Sequence, residues 1–172
     1  MNKPQPNEYD PYYQHYVSLA SEKDLVEILE KQPAGLRSLF ESVPEERGRF
    51  AYADGKWTIK ELLSHVIDGE RIFAYRLLRI SRGDQTPIEG FEQDDYIQNS
   101  NANDRTFDEL ISEFDLQRRS NMLLIRNLSD VDLCRMGVAS EKPISAMAIA
   151  FILGGHVEHH LKILRQRYLN PS

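Results

Sequence analysis

Three of the five histidines stand in the two most apolar helical stretches of the chain: His65 in one, and His156 and His160, four residues apart, in the other. Residues i and i+4 share a helix face, so the second pair can turn two imidazoles toward one point, as helical metal sites do. Three neutral imidazoles with an open position make a catalytic or substrate-binding metal site, whereas a structural zinc is closed by a fourth side chain, commonly cysteine. No residue presents itself by spacing as that fourth ligand. The competing expectation is that these are hydrogen-bonded core histidines, since a lone histidine on an apolar face commonly is, and i, i+4 pairs arise by chance. The run His156-Val157-Glu158-His159-His160 is not the zinc-protease signature, in which the glutamate directly follows the first histidine. His159 lies about 100° round the helix from His160 and either supports a ligand ring or faces solvent. Asp68, one turn after His65, either orients a ring, replaces a water on a metal, or is a solvated carboxylate.

The elements that must position these residues are helical. Leu25, Ile28, Leu29, Leu36, Leu39 and Phe40 follow a helical period from Ser21, with Pro33 inside as a predicted kink and Pro44 past the end. Thr58 and Glu61 form a capping box that opens a second helix, carried by Leu62, Leu63, Val66, Ile67, Phe73, Leu77 and Ile80 to Gly83. Residues 84–105 have little periodicity and many Asp, Asn and Gln, which predicts a functional loop or a crossover. Thr106 and Glu109 repeat the capping box before a third helix that ends near Asn127. Ser145 caps a fourth, apolar nearly all round, reaching about Leu169. No strand pattern exceeds a few residues. The expectation is an all-α four-helix bundle, one domain over residues 1–172, with a long crossover between helices two and three. Residues 1–21, with Tyr9, Tyr12, Tyr13 and Tyr16, read as an aromatic arm packed on it.

That topology makes helices two and four antiparallel. His65 then lies about 10 Å from the start of one and His160 about 13 Å from the end of the other, so the three rings can meet at one level. Gly154-Gly155, costly inside a helix, means either a close approach at that level or a plain kink.

Composition narrows the function classes. With 41% apolar and 28% charged residues the chain can bury a core, and a net charge of -6 without a basic block supplies nothing to neutralise nucleic acid or an anionic membrane. The longest uncharged stretch, 143–157, is shorter than a membrane span needs, and the first residues carry no apolar signal core. A lone Cys134, read as a small, partly buried side chain, suits a reducing compartment, and the expected location is the cytoplasm.

Glu8-Tyr9-x-Pro11-Tyr12-Tyr13, the block Trp57-Thr58-x-x-Glu61-x-x-x-His65 with Asp68 and Glu70, and Gly155-His156-x-x-x-His160 together resemble the DinB-like superfamily, in particular its YfiT-like branch. The resemblance implies an up-down-down-up four-helix bundle, frequently a homodimer, with a divalent metal on His65, His156 and His160: zinc first, with nickel, iron or manganese as alternatives. It implies a metal-dependent S-transferase that attaches a low-molecular-weight thiol to a small electrophile. The alternatives are a hydrolase that activates water on the metal and a non-enzymatic metal-binding, stress-associated bundle. The absence of a convincing Ser/His/Asp or Cys/His arrangement agrees with chemistry that needs no protein nucleophile. Asp94, Asp95 and Tyr96 in the crossover would form a wall or lid.

Overall fold

A computed structural model of the protein describes residues 2–21, 24–41 and 43–169. In chain order its helices are α1 (Gln14–Ala20), α2 (Leu25–Phe40), α3 (Ile59–Ser81), α4 (Gln93–Gln98), α5 (Phe107–Arg126), α6 (Asp130–Leu133) and α7 (Ala146–Ile163), followed by a π-helical turn, Leu164–Leu169. The capping boxes form as expected: Thr58 Oγ1 accepts from the Glu61 amide at 3.2 Å and the Glu61 carboxylate accepts from the Thr58 amide at 2.7 Å, with the same exchange at Thr106 and Glu109. Pro33 lies within α2.

The bundle consists of α2, α3, α5 and α7, with α7 packed on α2 and α3, and α5 on the same two from the other side. Pairings between helix ends fix the directions. Arg37, late in α2, meets Asp108 at the start of α5, and Arg126, late in α5, meets Glu30 early in α2, so these two are antiparallel. Asn103, just before α5, bonds the side chains of Thr58 and Glu61 at the start of α3, and Arg118, further along α5, pairs with Glu70, further along α3, so these two run parallel. The hydroxyl of Tyr168, beyond the end of α7, donates to the carbonyl of Trp57, just before α3, at 2.7 Å, so α3 and α7 are antiparallel. The order is up, down, down, up, with the crossover joining the parallel pair.

Four helices meet on one buried network. Arg118 donates through Nε and Nη2 to the two carboxylate oxygens of Glu70 at 2.8 and 2.7 Å, and through Nη1 to the Leu29 carbonyl and the Gln32 side chain. Gln32 passes the connection to the Gly154 carbonyl, and Asn121 completes Glu70. Arg118 and Glu70 are each 1% exposed, so their charges survive burial through this pairing.

Three local features differ from the sequence expectation. The stretch before α7 holds a hairpin, β1 (Met136–Ala139) against β2 (Lys142–Ser145), with Met136 opposite Ser145. Its strands are four residues long, too short for alternation to register. The crossover contains α4 and a 3-10 turn, Ala102–Asp104, because Ile97 and Ala102 bury against the bundle. Cys134 is exposed instead of partly buried: it caps the one-turn α6, whose buried residue is Leu133. Among the described residues no helix is long and apolar enough to cross a membrane.

The arm is largely helical, and α1 lies along α7. The paired glycines mark this approach. A Cβ on Gly155 would sit 1.9 Å from the Tyr16 carbonyl oxygen, whereas one on Gly154 would meet only the flexible ends of Leu25 and Leu29 at 3.2 and 3.3 Å. The partner that needs the space is therefore the arm's backbone. Gly155→Ala is expected to lose about 3 kcal/mol as α1 is displaced. Gly154→Ala should stay within about 1 kcal/mol of the parent, the helical gain of alanine offsetting a small repacking. Urea unfolding of both variants checks this, and equal losses would show that α1 is not held there.

Candidate metal centre

His65 comes from the second turn of α3, and His156 and His160 from the last two turns of α7. The antiparallel packing brings all three to one level. Nε2 of His156 lies 3.0 Å from Nε2 of His65 and 3.1 Å from Nε2 of His160, and one ligand atom from each ring falls within 4.8 Å of the others. All three side chains are buried.

Aromatic packing aims the rings. Trp57 lies against His65 with centroids 4.7 Å apart, and Tyr16 and Phe73 each meet His156 edge-on at 5.5 Å. Gly69, one turn after His65, makes room for His156, because a Cβ there would come within 2.6 Å of that ring's Cε1. Gly69→Ala is expected to lower metal affinity at least tenfold while the melt stays near the parent, since alanine favours the helix by about 1 kcal/mol. Competition with a chromogenic chelator measures the first and urea unfolding the second. Undiminished affinity would mean that the ring has another place to stand.

Burial holds each imidazole neutral. It pushes the His65 pKa down to about 4, with the Asp94 carboxylate acting weakly the other way. It holds His156 and His160 well below the usual histidine range, reinforced by neighbouring imidazoles. A neutral imidazole Nε2 carries either one N–H or one lone pair, so His156 can satisfy only one of its two close neighbours by hydrogen bonding. A cation that accepts lone pairs from all three removes this conflict, and the donor set therefore fits a divalent metal of borderline softness. Nδ1 of His160, which would then carry the proton, has no hydrogen-bond partner among the described residues.

The cluster opens on a cavity of about 560 Å³ floored by His65 and His156. The arm supplies Tyr12, Tyr13 and Tyr16 as one wall, and Asp95 and Tyr96 of α4 stand on another. Asp94 of the same short helix lines a second cavity, of about 320 Å³, beside His160 and Trp57. The crossover thus lines both cavities, in keeping with the wall or lid expected of Asp94, Asp95 and Tyr96. It is pinned at both ends: the Ile88 amide donates to the Val138 carbonyl at 2.9 Å, and Asn103 bonds the Thr58 and Glu61 side chains at 2.8 Å each.

The other sequence candidates take smaller parts. Asp68 faces α5, 3.8 Å from Arg71 and within the field of Glu113 and Arg105. Burial raises its pKa, and it makes no hydrogen bond to a ligand ring. His159 is half-buried between His15 and His160, ring centroids 5.2 and 4.9 Å away, and so packs against a candidate ligand. Gly69 and Arg76 carry no local sequence signal of a role here, although both lie on the face of α3 that carries His65, four and eleven residues on.

A family model described as the DinB superfamily matches residues 28–164. Among solved structures, YfiT from Bacillus subtilis, described as a probable metal-dependent hydrolase with an unusual four-helix bundle topology, superimposes with a TM-score of 0.74 at 16% identity, covering 95% of this chain and 92% of its own. At that identity the likeness is one of fold. No curated protein matches the sequence.

Proposed function

The chain belongs to the DinB superfamily, and from that premise we propose that it is a metal-dependent protein acting on a small molecule, with a divalent ion held by His65, His156 and His160. The observation that carries this reading is the convergence of three buried imidazoles at one point, two of them, His65 and His156, lining a cavity large enough for a metabolite. Zinc is the first expectation for an all-imidazole donor set, which also suits nickel and iron.

A divalent ion in such a site supplies Lewis acidity, lowering the pKa of a thiol or a water placed on it. The chain's own residues do the rest. Trp57, Tyr16 and Phe73 fix the ring planes, Gly69 lets His156 reach the centre, and the arm and α4 enclose the reactants. Cys134 is exposed and absent from the cavity lining, so this reading takes its thiol from solution. On this reading the reaction is transfer of a low-molecular-weight thiol to an electrophile. Hydrolysis is the second reading, favoured by the description of the structural neighbour YfiT.

Metal analysis of untagged protein tests the centre: about one divalent ion per chain is expected, lost in His160→Ala. Turnover by metal-loaded protein with and without added thiol then separates the reactions, since a full rate without thiol removes the transferase reading. The proposal extends to a cytoplasmic homodimer. Leu116 and Leu123, 68% and 66% exposed and seven residues apart on α5, support the dimer with an apolar outer face. Light scattering that returns a monomer mass would overturn that part.

A further inference from the structure

Arg76 is 2% exposed and lines the same cavity as His65 and His156. Among the described residues the other buried cations of this kind have carboxylate partners: Arg118 is held by Glu70, and Lys60 pairs with Glu45. Arg76 has none. Its Nη2 donates to two neutral acceptors, the Glu89 carbonyl at 3.1 Å and the Ser140 hydroxyl at 2.9 Å, and its Nε has no hydrogen-bond partner. The Tyr13 hydroxyl, the remaining polar neighbour from the arm, is also neutral. A guanidinium withdrawn from water without a counter-charge is costly, and the cost falls when an anion enters beside it.

The position of Arg76 says what such an anion belongs to. The His156 ring lies over Gly69, and Arg76 follows Gly69 by seven residues, close to two full turns, on the same face of α3 and about 10 Å farther along the axis. Phe73 and Tyr16 put apolar surface on the same cavity, whose lining on the crossover side also includes Glu92 and Asp95. We propose that Arg76 is the anion-binding residue of this cavity, and that the small molecule handled here carries a carboxylate, or another compact anion, several bonds away from the atom that meets the metal. This rests on the metal reading for the far end of the molecule only.

The test uses full-length protein in two arms. In the first, cobalt(II)-loaded protein is titrated with 6-mercaptohexanoate or with 6-mercaptohexanol, matched in length, and binding is read at the thiolate-to-cobalt charge-transfer band. The carboxylate should bind at least tenfold tighter to the parent. That preference should fall below twofold in Arg76→Gln, with the alcohol's affinity unchanged. In the second arm, metal-free protein is melted with hexanoate, with inorganic phosphate, or with neither. Hexanoate should raise the parent's midpoint and not that of Arg76→Gln, and a shift with phosphate alone would reassign the anion while keeping Arg76 as its binder.

Glutamine retains donors toward Glu89 and Ser140, so the parent's melting midpoint without anion is expected to be kept. Should that variant fail to fold, Arg76→Lys, which keeps the charge, must retain part of the preference. An equal preference in parent and Arg76→Gln, or no anion-dependent shift in either metal-free protein, overturns the proposal. Absence of a cobalt spectrum with the hexanoate shift intact sinks the metal reading and leaves Arg76 standing.

Discussion

Arg118→Ala lowers the stability of the protein by about 3–5 kcal/mol, the cost of leaving a buried carboxylate without its partner. For a chain of this size that is a fall in melting temperature of roughly 10 °C. The size of the effect comes from what is stranded. Glu70 is left with only the Asn121 amide, and the Leu29 carbonyl and Gln32 side chain each lose a donor. Glu70→Ala is expected to cost a similar amount by leaving the guanidinium bare. The double variant Glu70→Met/Arg118→Met should recover at least half of the single losses, because two apolar side chains strand no charge. Calorimetry on the three variants decides the matter. Single losses below about 1 kcal/mol would show that water reaches the pair.

The second large effect is the response to metal and acid. With free zinc at 100 times its dissociation constant the folded state gains about 2.7 kcal/mol, a gain that a chelator removes and that His160→Ala does not show. Acid acts in the opposite direction. Burial holds the folded pKa of His65 at about 4, below the unfolded value near 6.5, so between these values the unfolded chain binds the extra proton and stability falls as pH falls. His65 alone contributes a loss of about 3 kcal/mol by pH 4. His156 and His160, lowered by the same cause, steepen it. Protons also compete for the lone pairs a metal needs, so the zinc increment should shrink over the same range. Urea midpoints from pH 7.5 to 4.5, with zinc and with chelator, measure both effects. Coincident curves throughout would remove the metal from the account.

How far the fold and site can be read from the sequence depends on the range of the interactions. Thr58, Glu61, Thr106, Glu109 and Ser145 announce helix starts because a cap is a local bond over three residues. The His156/His160 pair is legible for the same reason, and a crossover that makes helices two and four antiparallel is enough to bring His65 to it. Pairings between distant residues leave no such trace. Glu70 and Arg118 are 48 residues apart, and each alone looks like an ordinary helical charge. Gly69 reads as a weak point in a helix until the ring it accommodates is seen. The hairpin and α4 are too short for periodicity, and Cys134 is exposed because of a one-turn helix that no pattern would reveal. Gly154-Gly155 falls between: the cost of two helical glycines leaves a close neighbour or a plain kink open, and does not say that the neighbour is the arm.

The antiparallel meeting of α3 and α7 bears on how the protein is made. His156 and His160 come together as soon as α7 winds, but 91 residues separate His65 from His156, and the ring from α3 joins them only through the tertiary packing of α3 on α7. On the proposed metal reading, an ion held by all three rings requires that long-range pairing, so the metal content of a preparation would count the chains whose second and fourth bundle helices have found each other.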